Sequence, residues 1–516
     1  MARTQRDRLS FAAMLVGGGC VVLVAGVLIS VLRSPAVPRP RGLITVVEQV
    51  APETTHPPQD SRDDARIPSA TEPAPQAPEA RVASAPPPAT DSGAAAPATA
   101  TPSQPVVEVS TLPLKSSTSG PGNSAPKAQG QRGLVILQIG DSHTAADYFT
   151  GELRQKLQAR YGDGGVGYLD AGKPHIGVRS GAMKITASSG WTYHSIQRSD
   201  NIAEFWLSGF NAVATASGEA LTFASDAPVP FDSIEIEALR QPGGGSIDIS
   251  LDGTVKSSAD LGGPTVEPVV LRLRPDGATS DRVRQIDIRT RGTGVVSIAS
   301  IGIYQKQSGV SYNNIGYPGA TIDLVNKFDE KLMADGLRRL DPQIVVLVFG
   351  TNEASKPNLD AARYERNYEK AVARIRAALP NAQIVLVGPP DGAERPPHCL
   401  GRGPADAACH PAPPSDGSSW TEPTDCDWHT IAHLDLVRDV ERKIAGRHGF
   451  VYWNWATINP NQCAAHQLVN ASPPLMTPDH VHFTPAGYVK GADLFLNALI
   501  PVIDKLQVRP NIAANN

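Results

Sequence analysis

Two short segments, far apart in the chain, contain residue types that together could perform nucleophilic catalysis. The first is Gly-Asp-Ser-His at 140–143, which follows the apolar run LVILQI. The second is MTPDHVH at 476–482, in which Asp479 and His482 are three residues apart. A serine hydroxyl becomes a useful nucleophile when a histidine accepts its proton and a carboxylate fixes the tautomer of that histidine. We therefore expect Ser142 to be the nucleophile, His482 the general base and Asp479 its orienter.

Two segments between these could supply hydrogen-bond donors for the negative charge that develops during acyl transfer. NNIGYPGATID places Gly319 in a loop before a helix, where its N–H could face an oxyanion. VFGTNEA places Asn352 just after a buried strand, with a side-chain amide that can donate. Together with the N–H of Ser142, these groups would form an oxyanion hole. The alternatives are a glycine that the loop geometry requires and an asparagine that caps a turn.

Structural alternatives also exist for the two outer segments. Ser142 or Asp141 could be no more than a helix cap. A metal site at Asp479, His480 and His482 would lack a fourth ligand nearby, and we expect neither a metal ion nor a cofactor. His480 lacks the offset that His482 has from Asp479, so we expect a surface or hydrogen-bonded structural histidine. All four segments occur at predicted strand ends or loops, which favours the catalytic interpretation.

The segments that surround these residues alternate between apolar strands and amphipathic helices. Short apolar runs end at Gly140, Gly350 and Gly388, as is typical of parallel strands buried on both faces. Helical spacing is predicted over 145–161, 360–379, 431–449 and 485–506. This alternation predicts a three-layer α/β fold with a parallel sheet. Ser142 would then lie at the carboxyl edge of the sheet, where α/β folds bind ligands.

A stretch of different character interrupts this pattern. Residues 200–305 alternate with period two and contain turn signals, including the Asp-Gly of SLDGTV. We predict an antiparallel β-sandwich over 200–305, inserted between a first part of the α/β domain at 132–199 and a second at 306–508. Residues 509–516 form a tail.

The N-terminal part of the chain has a third composition. Residues 11–32 are an uncharged run of about 22, enough to cross a ~30 Å hydrocarbon core, and longer than the apolar region of a cleaved signal peptide. We predict that residues 1–32 form a cytoplasmic stub and a transmembrane signal anchor. Lipoprotein processing at Cys20 is the weaker alternative. Residues 33–131 contain no Phe, Trp or Tyr and are rich in Pro and Ala, which predicts a disordered linker.

Four of the five cysteines lie close together in the sequence. An even number in an exported domain suggests two disulfides, in any of three pairings. Zinc binding is the competing interpretation, but the spacing contains no Cys-x-x-Cys, and four free buried thiols are a further alternative. Disulfides would require an oxidising compartment, which for a membrane-anchored bacterial chain is the periplasm. The residues concerned are Cys399, Cys409, Cys426 and Cys463.

The segments GDSH, GYPGAT, FGTNEA and DHVH resemble those of the SGNH hydrolases, also called GDSL esterases. The resemblance implies the triad and the oxyanion hole proposed above. GDSHTAADYFTGEL, GDGGVGYLDAGKPH and SSGWTY are similar to the peptidoglycan O-acetylesterase branch, in which a carbohydrate-binding-module-like sandwich is inserted at the place of 200–305. Glu353 stands where that pattern usually has Asp, at a position that usually supports the loop. Residues 391–428 have no recognised counterpart and could form a disulfide-pinned loop near the site.

These features imply a membrane-anchored periplasmic serine esterase that removes O-acetyl groups from a cell-wall glycan such as peptidoglycan. Its expected partners are the O-acetylated polysaccharide and, through the N-terminal helix, the inner membrane. A net charge of −4 gives no support for nucleic-acid binding. The alternatives are an O-acetyltransferase that uses the same triad on an envelope polysaccharide, and a catalytically vestigial glycan-binding protein.

Overall fold

The computed structural model describes residues 43–49, 133–275, 281–305, 308–399, 407–412 and 423–506. The predicted anchor at 1–32 and the predicted tail at 509–516 lie outside these residues. Within the predicted linker, one segment is described: Leu43–Gln49 forms a strand that pairs antiparallel with Glu267–Pro275. Its sequence, LITVVEQ, is rich in β-branched residues, which favour strands.

The described residues contain twenty strands and nine α-helices. The strands are β1 (Leu43–Gln49), β2 (Leu134–Gly140), β3 (Gly167–Asp170), β4 (Lys184–Ala187), β5 (Thr192–Ser195), β6 (Phe210–Ala214), β7 (Ala220–Phe231), β8 (Ser233–Arg240), β9 (Ser246–Leu251), β10 (Thr254–Asp260), β11 (Glu267–Pro275), β12 (Asp281–Arg291), β13 (Val296–Tyr304), β14 (Val310–Gly316), β15 (Ile344–Val348), β16 (Gln383–Gly388), β17 (Ala393–Glu394), β18 (Cys409–His410), β19 (Trp428–Thr430) and β20 (Val451–Asn454). The helices are α1 (Ser142–Ala145), α2 (Tyr148–Tyr161), α3 (Asp323–Lys327), α4 (Glu330–Leu340), α5 (Thr351–Ala354), α6 (Ala361–Ala378), α7 (Leu434–His448), α8 (Ala464–Val469) and α9 (Pro485–Lys505).

A five-stranded parallel sheet forms the centre of the α/β domain, in the order β14-β2-β15-β16-β20. Successive side chains of a strand point to opposite faces, so β2 contributes Leu137 and Ile139 to one apolar core and Leu134 and Ile136 to the other. The first core is closed by α4, α6 and α7, and the second by α2 and α9. This arrangement confirms the predicted three-layer α/β fold with a parallel sheet.

Two antiparallel sheets pack face to face as the inserted sandwich. One has the order β1-β11-β8-β13-β6-β5, with β3 also paired to β13, and the other the order β10-β9-β12-β7-β4. Alternate residues such as Ile247, Ile249 and Leu251 of β9 are buried between the sheets. Because β3, β4 and β5 precede residue 200, the sandwich begins earlier in the chain than the predicted boundary at 200.

We call residues 391–430 the flap; its described parts contain the three-stranded sheet β17-β19-β18. Two disulfides hold it, as predicted from the four cysteines. Cys399 pairs with Cys426 inside the flap, and Cys409 pairs with Cys463 at the start of α8. The flap is therefore cross-linked both to itself and to the α/β domain.

Helix α9 is, among the described residues, the one helix long and apolar enough to cross a membrane. Of its most apolar window, 56% is buried inside the protein. Phe495 and Leu499 belong to the same apolar core as α2. Packing within the domain therefore accounts for the apolar character of α9.

Candidate active site

Three loops leave the carboxyl edge of the parallel sheet side by side. Gly140 at the end of β2 is in register with Gly316 of β14 and with Val348 of β15. A Cβ at Gly140 would lie 2.3 Å from Thr144 Oγ1 and 2.5 Å from the carbonyl oxygen of Val348. Close packing therefore requires the glycine at the end of this strand, and the chain turns directly into α1.

Ser142, His482 and Asp479 form a continuous hydrogen-bonded chain at this edge. His482 Nε2 lies 2.8 Å from Ser142 Oγ, and His482 Nδ1 lies 2.7 Å from Asp479 Oδ2. Ser142 is the first residue of α1, whereas His482 lies in the loop just before α9. The structure thus brings together the three residues that the sequence predicts as nucleophile, base and orienter. A proton on Ser142 Oγ has a direct acceptor in this geometry.

Asp479 organises its own loop as well as the imidazole. Its Oδ1 accepts hydrogen bonds from the N–H groups of Val481 (3.0 Å) and His482 (2.9 Å) and from the Thr477 hydroxyl (2.6 Å). Burial opposes ionisation, but these bonds and the one to the His482 ring hold the pKa of Asp479 well below its usual value. Burial also opposes a charge on His482, but the hydrogen bond to Asp479 and its negative charge raise the pKa of His482.

Asn352 and Gly319 lie on the loops that flank the loop of Ser142. Asn352 is in α5, and its Nδ2 donates to the carbonyl oxygen of Ala320 at 2.9 Å and, at a longer 3.4 Å, to Asp141 Oδ2. Gly319 is exposed in the turn after β14, with φ 76°, which glycine adopts without strain. Nothing lies within 4 Å of the place where its Cβ would be. The parallel register of β14, β2 and β15 puts both loops next to Ser142.

Asp141 and His143 flank the serine and are both buried. Asp141 Oδ1 accepts the N–H of His143 at 3.0 Å and caps α1, as the helix-cap alternative for Asp141 suggested. Burial raises the pKa of Asp141 to about 7. His143 Nδ1 lies 3.0 Å from the Tyr488 hydroxyl, and burial lowers the pKa of His143 to about 3. His143 is therefore neutral, although its ring centroid is only 5.3 Å from that of His482, and it adds no positive charge there.

The predicted helix at 145–161 is interrupted near its start. Helix α1 ends at Ala145, and α2 begins only at Tyr148, because Asp147 between them has a left-handed backbone with φ 51°. The carboxylate of Asp147 accepts a hydrogen bond from Thr150 Oγ1 at 2.6 Å and from the N–H of Gly181 at 2.7 Å. Ser142 therefore begins a helix of only four residues, which the turn at Asp147 separates from α2.

Glu353 ties the loop of Asn352 to the loop of Gly319. Its Oε1 accepts the N–H of Ile322 at 2.7 Å, and its Oε2 accepts the N–H of Gly350 at 2.9 Å. The side chain is buried, and burial raises its pKa to about 7. These contacts agree with the loop-supporting role expected for this residue.

We expect Glu353→Gln to destabilise the fold by about 1–3 kcal/mol, because one buried N–H would lose its acceptor and face an amide nitrogen. Urea unfolding followed by tryptophan fluorescence measures this change. Glu330→Gln, at an exposed position at the start of α4, is the matched control and should leave the midpoint nearly unchanged. Equal midpoints for the two variants would contradict the bridging role of Glu353.

His480 connects the Asp479 loop (residues 477–482) to the flap. Its carbonyl oxygen accepts the N–H of Ala393 at 3.0 Å, and its ring stacks on Trp428 with centroids 3.6 Å apart. Its Nε2 lies 3.1 Å from His466 Nδ1. His480 is buried, and burial lowers its pKa. It is a hydrogen-bonded structural histidine, and the flap contacts the loop that contains His482.

Part of the chain matches the model of a known family. Residues 302–490 match the model of the GDSL-like lipase/acylhydrolase family. The matched residues include Gly319, Asn352, Asp479 and His482. Ser142 precedes the sandwich in the sequence and lies outside the matched residues. No curated protein matches the sequence.

A solved structure is similar to the chain over more than this segment. A peptidoglycan O-acetylesterase is 25% identical, with a TM-score of 0.55, and the alignment covers 72% of this chain and 92% of that chain. Family two carbohydrate esterases from Clostridium thermocellum and Cellvibrio japonicus are 12% and 13% identical, with TM-scores of 0.25 and 0.23. Those alignments cover 63% and 66% of this chain and 100% and 98% of the esterases.

Proposed function

We propose that the chain is an SGNH-type serine hydrolase, similar to a peptidoglycan O-acetylesterase, and that it removes O-acetyl groups from a cell-wall glycan, specifically peptidoglycan. The observation that carries the proposal is the hydrogen-bonded chain from Ser142 through His482 to Asp479. These three hydrogen-bonded residues supply a nucleophile, a proton acceptor and a fixed tautomer of that acceptor, which are the components that ester hydrolysis needs.

The reaction that we propose has two steps, acylation and deacylation. Ser142 Oγ attacks the acetyl carbonyl carbon while His482 Nε2 takes the hydroxyl proton. Collapse of the tetrahedral intermediate breaks the bond to the sugar oxygen, and His482 returns the proton to that oxygen. Water then attacks the acetyl-serine with His482 again as base, which releases acetate and restores Ser142. Asp479 stays ionised and stabilises the imidazolium that forms in each step.

The oxyanion of each tetrahedral intermediate would be bound by the N–H groups of Ser142 and Gly319 and by the amide of Asn352. The 2.9 Å hydrogen bond to Ala320 fixes the plane of that amide. Its second N–H makes only the long 3.4 Å contact with Asp141 and is the donor that we assign to the oxyanion. Donors that are held in place before the reaction need no reorganisation when the charge develops.

We expect Asn352→Ala to lower kcat about 10²–10³-fold with little change in KM, because the lost donor acts on the transition state. Nitrophenyl acetate hydrolysis measures both constants. The matched control is Asn461→Ala, at an exposed position outside the site. A loss of only a few-fold in the Asn352 variant would remove this residue from the oxyanion hole.

The substrate assignment is supported by a cleft between the sandwich and the Ser142 side of the α/β domain. The cleft has a volume of about 490 Å³, and Lys173, Arg179 and Lys184 are among its lining residues. The N–H of Arg179 donates to the carbonyl oxygen of Ala145 at 3.0 Å, which places the cleft wall next to α1. A cationic cleft beside the nucleophile suits an anionic polymer such as peptidoglycan with its peptide carboxylates.

We expect Lys173→Ala to raise KM several-fold for acetylated peptidoglycan while KM for nitrophenyl acetate stays unchanged, because the small ester carries no charge for the lysine to attract. The effect should shrink as salt is added, since screening weakens the attraction. Lys256→Ala, on an exposed strand of the sandwich, is the charge-matched control. Equal KM values for the polymer in both variants would show that the cleft does not bind it.

The location that we propose is the periplasm, with the chain anchored in the inner membrane by residues 11–32. Two disulfides in the described residues support an oxidising compartment. Membrane fractionation of the full chain and of a chain that begins at residue 34 tests the anchor. Recovery of both chains in the soluble fraction would exclude it.

The function is tested by release of acetate from purified O-acetylated peptidoglycan. We expect the wild-type chain to release acetate and Ser142→Ala to release none, with alkali-treated peptidoglycan as the blank. Product analysis with a glycan acceptor separates hydrolysis from acetyl transfer. If the chain hydrolysed nitrophenyl acetate but released no acetate from peptidoglycan, the esterase activity would stand and the assignment of peptidoglycan as the substrate would be overturned.

A further inference from the structure

A second group of reactive side chains lies in the flap, separate from the serine. Two histidines and two aspartates from two chain segments meet there: His410, Asp425, Asp427 and His429. His410 Nε2 is 2.9 Å from Asp427 Oδ2, and His429 Nε2 is 2.7 Å from Asp425 Oδ1. One ligand atom each of His410, Asp425 and Asp427 lie within 4.8 Å of one another. The proposed esterase reaction uses none of these residues.

The sheet of the flap brings the two imidazoles together. β18 and β19 are parallel, and His410 is directly opposite His429 in their register. The two rings stack with centroids 5.1 Å apart and an interplanar angle of 30°. Neighbouring side chains on the same face of a sheet can bind one ion without rearrangement of the backbone. All four side chains are partly exposed, so an ion can reach them from solvent.

The two disulfides fix the backbone beside the histidines and aspartates of this group. Cys409, next to His410, is bonded to Cys463 of the α/β domain. Cys426 lies between the two aspartates and is bonded to Cys399. Each of the loops that carry ligands is therefore cross-linked at or beside a ligand, which lowers the cost of assembling the set around an ion.

We propose that His410, Asp425, Asp427 and His429 bind one Zn²⁺ ion. Zinc prefers four nitrogen, oxygen or sulfur ligands in a tetrahedron, with bonds of about 2.0–2.2 Å, so that ligand atoms lie roughly 3.3 Å apart. The 2.7 and 2.9 Å separations in the flap need to open by about half an ångström, and the His429 ring, which is near Asp425 but outside the group of ligand atoms within 4.8 Å, must turn toward the ion. Two carboxylates and two neutral imidazoles also carry two negative charges, which a divalent zinc ion neutralises.

The proposed zinc site lies on the strand β19, which also contacts the loop that contains Asp479 and His482. Trp428 lies between Asp427 and His429, and in a strand it points to the opposite face from His429. On that face it stacks on His480 of the Asp479 loop, with centroids 3.6 Å apart. An ion on one face of β19 would thus stiffen the strand that supports this loop on the other face.

Calorimetry of the full chain, freed of metal with a chelator and then titrated with zinc chloride, tests the proposal. We expect one zinc ion per chain and loss of this binding, or at least about tenfold weaker binding, in His410→Ala and in Asp427→Asn. The matched control is His448→Ala, which removes an exposed histidine paired with a single carboxylate, Glu369, on a different surface. It should bind zinc like the wild-type chain.

Hydrogen exchange supplies a readout other than affinity. Zinc should slow amide exchange in residues 407–412 and 425–430 of the wild-type chain and should have no such effect in Asp427→Asn. The asparagine is close in size to aspartate, so this variant keeps the packing of the flap, and an unchanged melting temperature without metal verifies it. Equal zinc binding by wild-type, His410→Ala and Asp427→Asn chains would overturn the proposal, as would no binding by the wild-type chain.

Discussion

Replacement of Ser142 by alanine is expected to reduce kcat for acetyl ester hydrolysis by a factor on the order of 10⁵–10⁶. Without the hydroxyl, His482 has no nucleophile to activate, and only slow attack by water remains. The oxyanion donors would still give some rate above the uncatalysed reaction. The measurement is steady-state hydrolysis of nitrophenyl acetate by the purified full chain, with substrate concentrations that separate kcat from KM.

The control for this variant is Ser258→Ala, which removes an exposed serine from the sandwich. It should hydrolyse the ester like the wild-type chain. Thermal unfolding of the Ser142 variant should match the wild-type chain, because the hydroxyl makes one partly buried contact at the surface of the site. A correctly folded Ser142→Ala chain that retains a tenth of the activity would refute nucleophilic catalysis by this residue.

Replacement of Asp479 by asparagine has the second largest expected effect, a fall in kcat of about 10⁴. The carboxylate now accepts from His482 Nδ1, so that Nε2 is free to take the serine proton. An asparagine amide can turn its NH₂ group to Nδ1, which leaves the proton on Nε2, facing Ser142. The imidazole is then in the tautomer that cannot act as base.

The same variant predicts a change in pH dependence, and its sign follows from the pKa of His482. His482 must be neutral to act as base, so kcat/KM rises with pH through the pKa of the free enzyme. Asp479 raises that pKa, and its removal should therefore move the acid limb to lower pH. Asp435→Asn, at an exposed position in α7, should keep the wild-type profile. An acid limb that stays in place in Asp479→Asn would mean that another group titrates there.

The α/β fold was predictable because its signals are local. Apolar runs such as LVILQI end at glycines, and Gly140 is required by contacts with Thr144 and Val348 that any side chain would violate. The short separation of Asp479 and His482 also limited their arrangement, since both belong to one loop. What linked this loop to Ser142 was the order of the sheet, which the resemblance to a known family supplied.

Other parts of the structure had weak or no signals in the sequence. The strands β4 and β5 have only four residues each and are largely exposed, so they lack the apolar alternation that reveals a strand. The flap strands β17 and β18 have two residues each and depend on disulfides rather than on a hydrophobic pattern. Their pairing, and with it the approach of His410 to His429, is a tertiary feature.

The contacts of the side chains around the nucleophile could not be predicted either, because they join residues that are distant in the sequence. His143 and Tyr488 are 345 residues apart and meet only because α9 returns to the edge of the sheet beside α1. The stack of Trp428 on His480 likewise joins the flap to the Asp479 loop. Burial decides the charge of His143, and burial of one residue cannot be derived from its own neighbours in the sequence.

In the mechanism that we propose, Ser142 becomes the acylated residue because His482 removes its proton. A fluorophosphonate reacts covalently with such an activated serine, and digestion followed by mass spectrometry locates the adduct. We predict one adduct per chain, on Ser142, that forms at least about a hundredfold more slowly in His482→Ala than in the wild-type chain. An adduct on another serine, or labelling of Ser142 at the same rate without His482, would contradict the account.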